Sequence, residues 1–329
     1  MIRISAFFFL SIPLAANAHH SIAAFYAPDA TSEVAGTITE VNWVNPHISF
    51  TVESINDNNE VETWTIESGA ANGMTRNGIS RDVLEVGTDV TVVGRPSSRG
   101  QMALYASSVH RADGESVALR GVGSRPDLLQ ASAGPEPEGI FRVWSRGRAY
   151  GDHVNDSATG FELPYTPAAQ AARERYDPVT DDTALKCLQQ GMPGIMDNPY
   201  PIEFVADGDD IELRVEEWSV VRTIHMADYD DPESQVFTRQ GYSVGHWEGD
   251  TLVVQTAKID WPFFDDVGTP QSMDVDIVER FALSPDASRL DYEITVTDPA
   301  TFTETISLDG YWTWVPGEEV KTYQCTPWF

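Results

Sequence analysis

His19 and His20 directly follow Ala16-Asn17-Ala18, a small-x-small run, and cleavage after Ala18 would make His19 an N-terminal residue. Its α-amine and imidazole would then form a chelating nitrogen pair. His47, in Asn45-Pro46-His47, is the best third ligand, with His110 a weaker one. Such a nitrogen set suits copper(II), with zinc as the alternative, because neutral imidazole serves both metals. The competing reading is a solvated terminus and a histidine that merely caps a strand. A second set has acid–base character. Glu216 and Arg222 flank Trp218-Ser219 and are expected to face each other across a hairpin, as a pair able to orient or protonate a ligand. Buried pairs also occur as purely structural features. His225 lies in opposite phase to Arg222, so the two should not share a face. Glu279 and Arg280 are adjacent, so at most one points inward. The candidate catalytic residues are therefore Glu216, Arg222, His225 and Glu279. A third set, in Lys258–Gly268, combines Asp260, Asp265 and Asp266 with Trp261, Phe263 and Phe264, and Tyr242 adds a phenol. Aromatics beside carboxylates suit a sugar or a polycyclic apolar ligand, so Tyr242, Asp260, Trp261 and Asp265 are the ligand-binding candidates. The same aromatics would equally serve to plug a barrel end.

Other chemistry is not supported. Tyr242, Ser243 and His246 hold a hydroxyl and an imidazole, but no nucleophile elbow precedes a helix there. No phosphate loop, dinucleotide fingerprint, HExxH or EF-hand pattern occurs, so no nucleotide cofactor is expected. The two cysteines, Cys187 and Cys325, are expected to pair as a disulfide in an exported chain. Closing so long a loop contributes on the order of 4–5 kcal/mol in the chain-entropy model.

These residues sit on short strands. Alternating runs at 34–44, 47–55, 61–68, 88–95 and 104–111 predict five strands, and 81–87 resembles the short segment that precedes a strand in small barrels. The expectation for 19–114 is a small OB-like barrel. Gly, Pro, Ser and charge then dominate, and 115–182 reads as a connecting arm. Its one helix lies within 166–177, with Thr166 as N-cap and Pro167 at the first helical position. From 183 to 329 nine strands are expected, the last at 319–325. Turns are expected at Asp207-Gly208, Glu248-Gly249 and Asp309-Gly310. The fold class is thus all-β, with the OB-like barrel followed by a larger antiparallel up-and-down, calycin-like barrel able to hold one small ligand.

Composition bounds the partners. Residues 1–18 read as a signal peptide, with Arg3 before the apolar run Ile4–Leu14. That run is shorter than the roughly 20 residues a membrane span needs, so no membrane insertion is expected after cleavage. The chain carries 51 acidic against 21 basic residues, a net charge of −30. Such a surface repels nucleic acid and anionic membranes, so neither is an expected partner, and a small-molecule ligand is.

The first half resembles the DUF6152 family of exported bacterial proteins. The resemblance rests on AHHSIAAFY (18–26), GTITEVNWVNPH (36–47), NGMTRNGISRDVLEVGTDVTVVG (72–94) and VHRADG (109–114). The second half resembles a domain found beside that family, through LPYTPAAQAARERYDPVTDDTALKCLQQGMP (163–193), NPYPIEF (198–204), GYSVGHWEGDTLVV (241–254) and VERF (278–281). The resemblance implies export and a two-module architecture, and it names no activity. It marks His19, His20, Pro46 and His47 in the first module. In the second it marks Glu216, Arg222, Ser243, Trp247, Glu248, Asp250 and Glu279. Tyr242 stands where that pattern has histidine, and Gln271-Ser272-Met273 replaces a histidine-containing stretch. The expected function is an exported, periplasmic or secreted, two-domain binding protein that holds copper or zinc at its N-terminus and a small ligand in its barrel. The alternative is a periplasmic lyase, isomerase or hydrolase acting on a carbohydrate or an apolar ring compound in that barrel.

Overall fold

The computed structural model describes residues 22–119, 139–150, 162–178, 180–227 and 231–326. After a short α1 (Ile22–Phe25), five strands close the first barrel: β1 (Ser32–Asn42), β2 (Ser49–Ile55), β3 (Val61–Glu67), β4 (Asp89–Pro96) and β5 (Ala103–Arg111). The ring runs β1-β2-β3-β5-β4, closed by a parallel β3–β5 pairing at Thr65–Glu67, as the OB-like expectation requires. β1 belongs to both halves: Ser32–Thr37 pairs with β4 and Thr37–Asn42 with β2. A register shift between Ile38 and Glu40 lets it turn that corner. At Gly36 a Cβ would lie 2.1 Å from the Glu53 carbonyl oxygen, so only glycine permits the approach. Alternation along these strands buries Ile38, Phe50, Val52, Ile66, Val92 and Leu104 as one core. A six-residue helix, α2 (Ala71–Arg76), follows β3 and buries Met74 on that core. The sequence pattern did not announce it, because it is too short to show a 3.6-residue period.

The second barrel has nine strands, one of which comes from the presumed arm. They are β7 (Val143–Arg148), β8 (Ile202–Asp207), β9 (Asp210–Val215), β10 (Val220–His225), β11 (Tyr242–Glu248), β12 (Thr251–Ala257), β13 (Asp276–Leu283), β14 (Arg289–Thr297) and β15 (Ile306–Thr313). Stretch 115–182 also supplies β6 (Ser116–Ala118), which pairs with β5, and α3 (Pro167–Arg173). In α3 the Thr166 hydroxyl accepts from the Ala169 amide at 3.2 Å, the expected N-cap. The expected strand at 319–325 is not formed. Its place beside β15 is taken by β7, and Cys325 forms a lone bridge to Asn45 of the first barrel. The Asp309-Gly310 turn is also corrected: both residues lie inside β15. At Gly310 a Cβ would come within 2.6 Å of the Arg148 carbonyl, so the glycine serves a close strand crossing. Nine strands cannot alternate direction all the way round a ring. One joint must be parallel, and it is β10–β11, paired at Ile224–Ser243.

The interior of this barrel is packed. Phe204 and Phe281 meet edge to face at 5.1 Å, Phe281 and Tyr292 lie 5.0 Å apart, and Trp312 is 5.1 Å from Tyr292. Met192, Ile277, Ile294 and Val296 fill the space around them. The lumen expected to hold a ligand is a side-chain core. Among the described residues no helix is long and apolar enough to cross a membrane.

Segment 315–326 leaves β15 and runs along both barrels. The Gln324 carbonyl accepts from the Asn45 amide at 2.8 Å, and the Tyr323 amide donates to Ser219 Oγ at 3.1 Å. Tyr323 packs with Tyr200, Ala70 and Trp218. Cys187 and Cys325 form the expected disulfide, with Cα atoms 5.9 Å apart.

Candidate functional site

The four acid–base candidates do not converge. Arg222 points into the second barrel, where its guanidinium pairs with both Glu279 oxygens and donates to Ser243 Oγ at 2.8 Å and Thr256 Oγ1 at 2.6 Å. Tyr292 Oη donates to Glu279 Oε1 at 2.9 Å. Glu216 is not the partner of Arg222, contrary to expectation. The chain leaves β9 in a helical turn over Glu217–Ser219 and turns Glu216 toward the first barrel. There Arg76 of α2 engages both its oxygens, Asn72 Nδ2 donates at 2.9 Å and the Lys321 amide at 2.7 Å. His225 lies on the outer face, as its phase requires. Its Nδ1 is 2.9 Å from Asp210 Oδ2, and its ring stacks on Tyr242 at 4.7 Å. Arg280 also points outward, to Glu248.

The concave site lies between the barrels. A cavity of about 310 Å³ is walled by His47, Gly69, Ala70 and Tyr105 from the first module. The second adds Arg146, Tyr176, Trp218, Trp261 and Phe263, with the carboxylates of Asp182, Asp197, Glu217, Asp265 and Asp266. Of the four ligand-binding candidates, Trp261 and Asp265 line this cavity. Tyr242 is committed to His225, and Asp260 is exposed in the loop, its amide bonded to the Thr238 carbonyl. Arg146, Asp182, Asp197, Glu217, Tyr176 and Trp218 were not anticipated. A signal for Glu217 and Trp218 exists in Glu216-Glu217-Trp218-Ser219, which breaks the strand alternation on either side. Trp218 and Ser219 both have positive φ, 58° and 50°, a conformation costing on the order of 1–3 kcal/mol each for such residues. Tyr323 opposes that cost through its stacking on Trp218 and its bond to Ser219.

His47 is held from behind. Its Nδ1 bonds Glu67, whose other oxygen accepts from Tyr26 Oη at 2.7 Å. The Tyr105 ring stands edge-on to the imidazole at 6.1 Å. Of the expected metal ligands, His19 and His20 lie outside the described residues. No group of three His, Cys, Asp or Glu side chains able to hold a metal occurs among those described. His110 bonds Ser108 and Ser116 on the surface.

The cavity's electrostatics are unbalanced toward negative charge. Burial pushes the Glu217 carboxyl up to about 8, with Asp266, Asp197 and Asp182 adding to the rise and Arg146 opposing it. Burial likewise raises Asp182, against amide bonds from Ala184 and Leu185 and the nearby His47. It raises Asp265 against its bonds from Thr269 and Val267, and lifts the Tyr176 phenol. Between its ordinary value and about 8, Glu217 binds its proton more tightly in the folded protein than in the unfolded chain. Its contribution to stability is therefore complete at low pH and is lost as pH rises to about 8. Glu217→Gln removes that loss. Urea unfolding should show the variant gaining on the parent as pH rises, by on the order of 3 kcal/mol at pH 9. A pH-independent difference between the two would mean that the carboxyl is not desolvated.

Residues 8–104 match DUF6152, a family of unknown function, which covers the first barrel to the start of β5. Comparison with curated proteins gives no match.

Proposed function

We propose that this DUF6152-type module and its partner barrel form an exported binding protein that holds one small ligand in the cleft between them. The observation that carries the reading is the 310 Å³ cavity whose wall needs both modules. That volume lies in the range of small-molecule sites, and its make-up of aromatic faces with a few polar groups is that of ligand pockets in general. Tyr105, Tyr176, Trp218, Trp261 and Phe263 offer flat apolar faces to a ring. Asp182, Asp197 and Asp266 offer acceptors to hydroxyl groups, and Arg146 offers donors to an oxygen acceptor. A sugar or a hydroxylated apolar ring compound fits that chemistry. The Arg76–Glu216 pair and segment 315–326 fix both walls before the ligand arrives, which lowers the entropy cost of binding. The Ile4–Leu14 run, the small-x-small site and the paired cysteines support export.

Native mass spectrometry of the protein purified from the producing cell's extracytoplasmic fraction tests both parts. The expected species begins at His19 and carries a non-covalent small-molecule adduct, and that adduct or a monosaccharide and ring-ketone panel quenches tryptophan fluorescence in the parent more than in Trp261→Leu. An intact leader would reject export. A bare polypeptide that no panel member quenches would reject the ligand site.

A further inference from the structure

The cleft holds more than binding groups. On its first-barrel side stands an imidazole whose Nδ1 is bonded to a carboxylate, and on its second-barrel side a carboxyl among other carboxylates, with a guanidinium close enough to act on it electrostatically. We propose that the cleft is an active site for proton transfer next to a carbonyl, in which His47 is the base, Glu217 the acid and Arg146 the stabiliser of the enolate, and that its substrates are small ring β-hydroxycarbonyl compounds that lose water. The proposal rests on the cleft being the ligand site.

Each role follows from surroundings already described. Glu67 bonds His47 Nδ1 and is itself fixed by Tyr26, so proton exchange falls to Nε2; Glu67 is a positioning residue. A base held in one tautomer by a carboxylate, with an acid opposite, is the arrangement general acid–base catalysis needs. Glu217 faces Asp266, Asp197, Asp182 and Arg146, and the three like charges together with burial keep it protonated at neutral pH, so it has a proton to give. Two ionisable groups held in opposite protonation states in one cavity mark an acid and a base. Arg146 is the cationic side chain in the wall suited to a developing oxyanion.

The step balances without a cofactor. His47 Nε2 takes the proton from the carbon beside the carbonyl. The C–H electron pair becomes the enolate, whose oxygen faces Arg146. Collapse of the enolate forms the carbon–carbon double bond and expels the β-hydroxyl, which takes the Glu217 proton and leaves as water. The imidazolium then returns its proton to Glu217 through solvent, and substrate has become enone plus water.

The full-length processed protein, incubated with 3-hydroxycyclohexanone in D2O buffer, tests this by enone absorbance and by deuterium uptake at the α-carbon. Glu217→Gln should cut enone formation about 100-fold or more, the scale of a lost acid, while leaving α-deuterium uptake. His47→Gln, which keeps a donor for Glu67, should cut both. The parent's rate should fall above pH 8, a limb that Glu217→Gln lacks. Saturation-transfer NMR of the same mixtures separates the two readings. If the probe binds but both products form at the buffer rate, or equally in parent and variants, acid–base catalysis is overturned and the binding site stands. If neither this probe nor any ring ketone of the panel binds, both fall.

Discussion

Arg222→Met should destabilise the protein by about 3–5 kcal/mol, read as a lower urea midpoint with an unchanged slope. The reason is the partner left behind. Glu279 is fully buried, and without the guanidinium its charge is answered only by the Tyr292 hydroxyl. Ser243 and Thr256 also lose the donor that both accept from. The ion pair itself is not the source of stability, since removing two charges from water costs about as much as their attraction returns. The double variant Arg222→Met/Glu279→Gln should therefore recover most of the loss, because a neutral amide keeps an acceptor for Tyr292 and leaves no unpaired charge. A single variant as stable as the parent would show the lumen open to water around Glu279. A double variant as unstable as the single one would make the pair a net stabiliser in its own right.

That pair also marks how far the sequence could be followed. Arg222 and Glu279 were legible as inward residues because β10 and β13 alternate strictly, Val220-Arg222-Ile224 against Ile277-Glu279-Phe281. Alternation gives the face and says nothing of the angle around a barrel. Arg222 was therefore matched to Glu216, its neighbour in sequence, when its partner is 57 residues away. Glu216 itself sits where the strand period stops: the turn at Glu217–Ser219 rotates it out of the lumen, and two positive-φ residues there follow from tertiary contact with Tyr323 rather than from local preference. The same limit hid the ninth strand. Val143–Arg148 contains Gly147 and two arginines and shows little strand character, yet β15 needs a partner on that edge and β7 supplies it. The EVKTYQC run has better strand propensity but is drawn across to Asn45. The cleft was the least legible part, because its wall draws on residues from 22 to 266 that no spacing rule connects.

Arg76→Met should cost about as much, 3–5 kcal/mol, and should be felt at the cleft rather than inside either barrel. Arg76 belongs to α2 of the first module, and its guanidinium reaches Glu216 of the second and, in the connecting segment, Glu318 Oε1 at 2.9 Å and the Glu319 carbonyl at 3.0 Å. Glu216 has no exposed surface, so deleting the guanidinium strands a buried carboxylate on three neutral or amide donors, Asn72 among them. The cheapest relief is for water to enter, which requires the two walls to part. Arg222→Met weakens one barrel and leaves the cleft walls where they are; Arg76→Met leaves both barrels intact and separates the walls. The two variants, of similar cost, should therefore differ in ligand response. Arg76→Met should lose quenching of Trp218 and Trp261 by ligand and gain protease cleavage within 315–326, whereas Arg222→Met, below its urea midpoint, should keep the first and resist the second. Arg76→Lys should fall between, since a point charge cannot reproduce the two-pronged grip on the carboxylate. Normal ligand response in Arg76→Met would mean that the disulfide and the Tyr200–Tyr323–Trp218 cluster hold the walls without it.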